Sequence, residues 1–329
     1  LPLQSRAVIG TALALRAYYF ATFAALGVFY PYFPPWLEAR GVTGFDMSAI
    51  VALRPLVGTL GPVGFGLIAD RLGLRGSLLR VACVGSVASI GVLAVTGRLS
   101  MELGFWPLFG VVLLFAFFRG PMLALADTVA LEGTLTYGRL RLWGSLGFMV
   151  TALGAGWLVD PTELATLPIV VTAVLLVALL AALPLPARAP RPPRRIWSDV
   201  RRLAVSGDFA LFLLVVLLWT ASHAVYGLTI SLYLRALGAR PLFIGVCWAT
   251  GTLAEVVLMA YSAPLLRAAS PPRWLAVGLM IVALRFALIG TVTSLPVLLA
   301  LQPLHAFTFG LMWVTAMAYV KQRAPVHVL

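Results

Sequence analysis

Charge is scarce in this chain. Of its 329 residues, 11 are acidic and 24 are basic, so charged side chains make up 11% of the sequence, whereas a soluble domain carries about a quarter. Hydrophobic residues make up 61%, and the mean hydropathy is +1.01. These values exclude an ordinary soluble domain and indicate a protein that is largely embedded in a lipid bilayer.

Cysteine and histidine are also rare. The two cysteines, Cys83 and Cys247, lie in separate apolar segments, which argues against a disulfide framework and against a thiolate metal site. The sequence has no nucleophile elbow, phosphate-binding loop or metal-ligand cluster, and no polar domain that could hold one. It therefore predicts no catalytic residues, no metal, no cofactor and no enzymatic activity.

Long apolar segments, in contrast, follow one another along the whole chain. A helix needs about 20 apolar residues to cross a bilayer, and the sequence predicts ten such spans. Their approximate limits are 15–36, 46–69, 77–97, 105–127, 140–159, 164–185, 209–234, 241–265, 273–293 and 295–320.

The basic residues are concentrated in alternate connections between these spans. One set of connections contains Arg71, Arg75, Arg139 and the arginine-rich segment 187–208, while acidic residues accumulate in the other set. Because cytoplasmic loops are enriched in Arg and Lys, we expect the N-terminus and segment 187–208 to be cytoplasmic. The same rule accounts for the net charge of +13 without a nucleic-acid partner.

The turn between the second and third spans combines glycine with charge. Gly66 is expected to allow a close helix approach, and Gly73 to permit a tight turn. Asp70 ends the second span, with Arg71 and Arg75 beside it, which favours a cytoplasmic latch that forms and breaks as helices move. The pattern G-x-x-x-D-R-x-G-x-R resembles the loop signature of the major facilitator superfamily.

This resemblance implies an all-α membrane protein in which two pseudo-symmetric six-helix bundles give alternating access to a site near the midplane. The predicted domains are an N-terminal bundle at 1–186, a cytoplasmic linker at 187–208 and a C-terminal bundle at 209–329. About ten spans are predicted where the family has twelve, so we expect the C-terminal bundle to be incomplete in this sequence. A natural ten-helix protein is the alternative. We expect a monomer in the bacterial cytoplasmic (inner) membrane.

Ionisable residues inside the spans are candidates for function, because each costs about 2.5–3.5 kcal/mol to insert at the centre of a membrane helix. They are Arg54, Arg119, Asp127, Arg141, His223, Glu255, Arg285 and His305. We interpret Arg54 as a structural or snorkelling arginine.

Arg119 and Arg141 favour an anionic substrate, since a guanidinium can hold a carboxylate through two hydrogen bonds. An internal ion pair between Arg119 and Asp127, eight positions apart on one span, is the alternative role for those two residues. Trp143 offers an aromatic wall for a ring-bearing substrate, with ordinary packing or interface anchoring as the alternative. His223 and Tyr226 share a helix face and are further candidate substrate contacts.

Glu255 and Asp127 are the candidate proton carriers, because the proton affinity of a carboxyl group changes between hydrocarbon and the vicinity of an arginine. Arg285 and His305 complete the predicted coupling group. His305 and His223 titrate near neutral pH, although either can serve as a plain hydrogen-bonding residue.

Several blocks together, among them 119–121, 137–148 and 304–310, are similar to one branch of the superfamily. This branch contains phenylpropionate permeases and lies near the nucleoside and lactose proton symporters. The resemblance implies proton symport, a substrate contact by Arg141 and a coupling network of Glu255, Arg285 and His305. The chain departs from lactose permease at Thr308, where a proton-carrying glutamate is expected, and at Gln302, where a lysine is expected.

The predicted function is therefore secondary transport of a small organic solute together with protons, with an aromatic or other carboxylate favoured over a nucleoside or sugar. Two alternatives remain. One is an exporter of amphiphilic compounds with the same fold. The other is a non-transporting membrane subunit of a larger assembly, which the acid-free turn at 265–273 would suit.

Overall fold

The computed structural model describes residues 3–99, 101, 103–131, 137–158, 166–186 and 206–323, and their regular elements are all helical. The α-helices are α1 (Leu3–Glu38), α2 (Gly44–Leu72), α3 (Arg75–Arg98), α4 (Phe105–Leu131), α5 (Tyr137–Leu158), α6 (Leu167–Ala182), α7 (Gly207–Ala236), α8 (Pro241–Ala260), α9 (Ser262–Ala268), α10 (Pro271–Thr291), α11 (Leu295–Ala300) and α12 (Met312–Arg323). A 3-10 turn at Gln302–Leu304 and a π-helical segment at Ala306–Leu311 separate α11 from α12.

A helix lies at each of the ten predicted spans. Within the described residues, eight helical stretches are long and apolar enough to cross a membrane, and α6 is a shorter apolar helix. The tenth span differs from a single continuous helix, because Pro303 lies in the 3-10 turn and lacks the N–H that an α-helix requires. Residues 187–205 of the predicted linker lie outside the described part of the chain.

The chain divides into two compact units, Leu1–Pro193 with Arg240–Gly245 and Arg194–Ala239 with Val246–Leu329. In the first unit, α1 packs against α5, α6 and α4, while α2 and α3 pack against α4. In the second unit, α10 packs against α12 and the π-helical segment. Each unit buries one cysteine, Cys83 at 0% exposure and Cys247 at 1%.

Two glycines allow α5 to approach α1 closely. A Cβ atom at Gly144 would lie 2.6 Å from the ring of Phe23, and one at Gly147 would overlap the backbone carbonyl of Phe20. Any larger residue at either position would therefore have to push α5 away from α1.

Gly66 does not mark a close approach. A Cβ atom there would meet no atom of the described residues within 4 Å, so the predicted close packing at this glycine is wrong. The tight contact between α2 and α4 lies about two turns earlier, where a Cβ atom at Gly120 would overlap the carbonyl of Gly58. Sequence spacing did not distinguish which α2 glycine faces its neighbour, because apolar residues surround all of them.

Gly73 forms the tight turn that the sequence predicts. It caps α2 in the left-handed conformation, with φ of 65°, and its N–H donates to the Ala69 carbonyl at 2.8 Å. A side chain would be strained at this φ. Arg71 is exposed, and Arg75 is buried at 5% exposure at the start of α3. The side chain of Asp70 lies outside the described atoms.

Candidate functional site

Arg285 is the most buried charged residue that the structure describes, with 0% exposure on α10. Its guanidinium donates to Gln302 Oε1 at 3.0 Å and to Thr308 Oγ1 at 3.1 Å, and it lies 4.5 Å from the ring centroid of Tyr226. These partners are neutral, and Arg285 forms no ion pair with an acid of the described residues. The second unit thus holds a buried cation through dipoles and an aromatic face.

The irregular backbone after α11 supplies the partners of Arg285. Gln302 and Thr308 are six positions apart and would point about 120° apart on a regular α-helix. The 3-10 turn and the π-helical segment bring both within hydrogen-bond distance of the same guanidinium. The two residues that depart from the lactose permease pattern therefore act together in this chain.

Tyr226 and Gln302 extend the network across α7. The Tyr226 hydroxyl donates to Gln302 Oε1 at 2.7 Å, so this oxygen accepts from both Tyr226 and Arg285. The amide nitrogen of Gln302 donates to the Leu298 carbonyl at 2.8 Å, which fixes the orientation of the amide. Both side chains are buried.

His305 lies between Arg285 and Glu255. Arg285 Nη1 lies 3.5 Å from His305 Nδ1, and because a guanidinium only donates, Nδ1 is the accepting nitrogen. The proton of the neutral ring then resides on Nε2, which lies 3.7 Å from Glu255 Oε2. Glu255 is 14% exposed. His305 therefore presents one ring nitrogen to Arg285 and the other to Glu255.

His223 and Tyr226 share a face, as the sequence predicts. The rings of both contact Phe286, at 5.7 Å each, and His305, at 6.0 and 6.3 Å. His223 Nδ1 lies 3.0 Å from the Trp219 carbonyl and donates to it. Its Nε2 is therefore a buried acceptor, and it has no hydrogen-bond partner among the described residues.

The first unit contains a second cationic cluster. Arg119 on α4 lies within electrostatic range of Arg54 and Arg141, and of Tyr18 and Tyr30. Its Nε is buried and has no hydrogen-bond partner in the described chain. Arg119, Arg141 and Arg54 therefore lie close enough in the first unit for their charges to repel one another.

The contacts of Asp127 differ from the internal ion pair considered with Arg119. Asp127 Oδ1 accepts a hydrogen bond from the Tyr19 hydroxyl of α1, whereas the charged neighbours of Arg119 are two arginines. The sequence does not predict this partner of Asp127, because a tyrosine in an apolar span is equally compatible with ordinary packing.

Trp143 is not brought beside Arg141. Two positions on an α-helix differ by about 200°, and Trp143 is 41% exposed while Arg141 packs over Phe23. The two side chains therefore point to different sides of α5.

Residues 12–328 match the family model described as the MFS_1 like family. The chain belongs to this family. Among its curated relatives is a protein of Escherichia coli (strain K12) named "Probable 3-phenylpropionic acid transporter", which is 30% identical over 324 residues, covering 93% of this chain and 81% of the relative. The maltose permease of Geobacillus stearothermophilus is 29% identical over 327 residues, covering 94% of this chain and 79% of the relative.

The solved structures agree on the fold. A crystal structure of the nucleoside transporter NupG superimposes with a TM-score of 0.81 at 14% identity, covering 97% of this chain and 84% of that chain. This member of the MFS_1 like family is therefore an all-α, multi-pass membrane protein with the major facilitator fold. It is a secondary transporter of a small solute and not an enzyme, and its surroundings include membrane lipid.

Proposed function

We propose that the protein is a symporter of an organic carboxylate and protons in the bacterial cytoplasmic membrane. The observation that carries the proposal is the pair of guanidiniums, Arg119 and Arg141, which form no ion pair with an acid of the described residues. The Nε of Arg119 is buried and has no hydrogen-bond partner among the described residues, and a substrate carboxylate would supply both an acceptor and the missing negative charge. The 3-phenylpropionic acid named for one relative is a carboxylate of this kind.

Glu255 is the proposed proton carrier, with His305 and Arg285 setting its proton affinity and Asp127 as a second carboxyl group in the first unit. Support comes from the 3.7 Å separation of Glu255 Oε2 from His305 Nε2 and from the 14% exposure of the Glu255 side chain. His305 is held as an acceptor by Arg285 on its other side, so a second proton on this ring is disfavoured. The carboxyl group of Glu255 is therefore the proposed site that gains and loses the proton.

The test is uptake by the purified full-length protein in proteoliposomes with an inward proton gradient. We expect accumulation of labelled 3-phenylpropionate, and no accumulation of uridine or maltose. Gradient-driven efflux instead of uptake would indicate the exporter, and uptake of uridine or maltose alone would overturn the carboxylate assignment.

Proton coupling has its own test. Glu255→Gln should abolish gradient-driven accumulation while exchange of internal for external substrate continues. Asp46→Asn, at an exposed site in the first turn of α2, is the matched control and should leave accumulation unchanged. If Glu255→Gln accumulates substrate as well as the wild type, Glu255 does not carry the proton.

We further propose a monomer with a cytoplasmic N-terminus. The orientation is supported by the arginines at the α2–α3 turn and by Lys321 and Arg323 at the end of α12, because basic residues favour the cytoplasmic side. Labelling of intact cells with an impermeant maleimide tests the orientation. A cysteine at Val42 should react and one at Arg71 should not, and the reverse pattern would invert the topology.

A further inference from the structure

Two arginines of the first unit contact aromatic rings at different positions along helix α1. The Arg141 guanidinium lies 4.3 Å from the ring centroid of Phe23, and that of Arg54 lies 5.2 Å from Phe29 and 5.0 Å from Tyr30. Phe23 and Tyr30 are seven residues apart, which is about 10 Å along a helix axis. The cations therefore form a row along α1.

Arg119 belongs to the same row. It lies within electrostatic range of both Arg54 and Arg141, and its buried Nε has no hydrogen-bond partner among the described residues. None of the three arginines forms an ion pair with an acidic side chain of the described residues. Three like charges thus lie in one apolar region, where they repel one another and lack counterions.

One carboxylate does not match this arrangement. A carboxylate has two oxygens and engages one guanidinium side-on or two end-on, so it is satisfied at one end of the row. A monoacid bound at one end of the row leaves the guanidinium at the other end without an anion. The ring faces of Phe23, Phe29 and Tyr30 that flank the guanidiniums can pack against an apolar spacer.

We propose that the substrate is an elongated dianion with an acidic group at each end, one bound by Arg141 and the other by Arg54, with Arg119 within electrostatic range of both. This inference rests on the proposed carboxylate transport and makes Arg54 the residue that selects diacids over monoacids. A spacer the size of a benzene ring with two methylene groups suits the length of the row.

Three ligands test the inference: 3-phenylpropionate, 3-(4-carboxyphenyl)propionate and 3-(4-carbamoylphenyl)propionate. The last two have closely matched shapes. The second and third differ by one negative charge at the far end of the ring. Each unlabelled compound competes with labelled 3-phenylpropionate for exchange in proteoliposomes that contain the full-length protein. The pH is the same on both sides of the membrane, so no proton gradient is present. We expect the diacid to compete at a concentration about tenfold or more below that of the amide, the equivalent of one charge-assisted contact.

Arg54→Gln should remove the preference for the diacid and leave competition by the amide unchanged, whereas Arg54→Lys should retain part of it. Arg98→Gln, at an exposed arginine in the last turn of α3, is the control and should keep the full preference. The wild-type comparison decides the question by itself if Arg54→Gln does not fold.

Equal competition by the diacid and the amide in the wild type would overturn the dianion inference while leaving carboxylate transport in place. Exchange of none of the three acids, together with exchange of a neutral solute such as uridine, would overturn the proposed function as well. A diacid preference that survives Arg54→Gln would show that Arg54 does not bind the second acidic group.

Discussion

The indole Nε1 of Trp219 donates a hydrogen bond of 2.7 Å to the backbone carbonyl of Thr308. Trp219 lies on α7, and Thr308 lies in the π-helical segment, where the wider turn changes the pairing of backbone carbonyls. Both residues are buried, at 2% and 0% exposure. Because the Thr308 hydroxyl accepts from Arg285, the indole fixes the backbone that holds one partner of the buried cation.

Trp219→Phe should therefore affect both stability and transport. The substitution leaves a buried carbonyl without its donor, which costs about 1–3 kcal/mol, and it loosens the position of Thr308. We expect a lower melting temperature in detergent and an altered pH dependence of accumulation in proteoliposomes.

Trp274→Phe is the matched control for this prediction. The Trp274 indole donates to the Leu265 carbonyl at 2.9 Å and takes no part in the hydrogen bonds of Arg285. Its loss should lower the melting temperature without moving the pH profile. A pH profile that moves equally in both variants would contradict a specific role for Trp219.

The stability of the protein should depend more on the side-chain oxygen of Gln302 than on the neutrality of this side chain. Gln302→Leu removes the acceptor that Arg285 and Tyr226 share, and loss of a buried hydrogen bond to a charged group costs about 1.5–3 kcal/mol. Gln302→Glu keeps an oxygen at this position and adds a negative charge beside the guanidinium. Thermal unfolding should show a clear drop for the leucine variant and a smaller change for the glutamate variant, and the opposite order would contradict the network.

Two glycines of α5 form a matched pair for stability. A Cβ atom at Gly147 would overlap the Phe20 carbonyl, whereas one at Gly154 would meet no atom of the described residues within 4 Å. Gly147→Ala should force α5 away from α1 and lower the melting temperature by several degrees. Gly154→Ala should be neutral or slightly stabilising, since alanine favours a helix over glycine by about 0.5–1 kcal/mol. Equal melting temperatures for the two variants would show that the α1–α5 contact adjusts freely.

The role of Asp70, in the last turn of α2, as part of a cytoplasmic latch stays a prediction. Asp70→Asn should slow turnover while leaving the substrate concentration at half-maximal rate nearly unchanged, because the latch acts on conformational exchange and not on binding. Initial rates of uptake at several substrate concentrations separate the two quantities. Weaker binding with intact turnover would contradict the latch, and Asp46→Asn serves again as the control.

The helices themselves were predictable from the sequence, because the cost of exposing backbone polar groups to lipid makes long apolar segments helical. The candidate charges were also found, since a charged residue in such a segment stands out. Arg285, His305 and Glu255 were grouped through a family resemblance and do lie together.

The residues through which neighbouring helices contact one another were harder to predict. A span that is apolar on every side carries little information about its rotation, so Gly66 was assigned a close contact that Gly58 and Gly120 make instead. For the same reason the sequence does not predict the position of Arg54 along α1 and near Arg119. The π-helical segment had no signal beyond Pro303, and with it the joint role of Gln302 and Thr308 was missed.

The burial of Cys83 and Cys247 gives the protein two natural reporters. They are the only cysteines among these 329 residues, each lies in a different compact unit, and neither is more than 1% exposed. A membrane-permeant alkylating reagent can reach either sulfur only when the surrounding helices separate. The rates of alkylation at the two positions, read by mass spectrometry with and without substrate, would therefore time the opening of each unit in the unaltered protein.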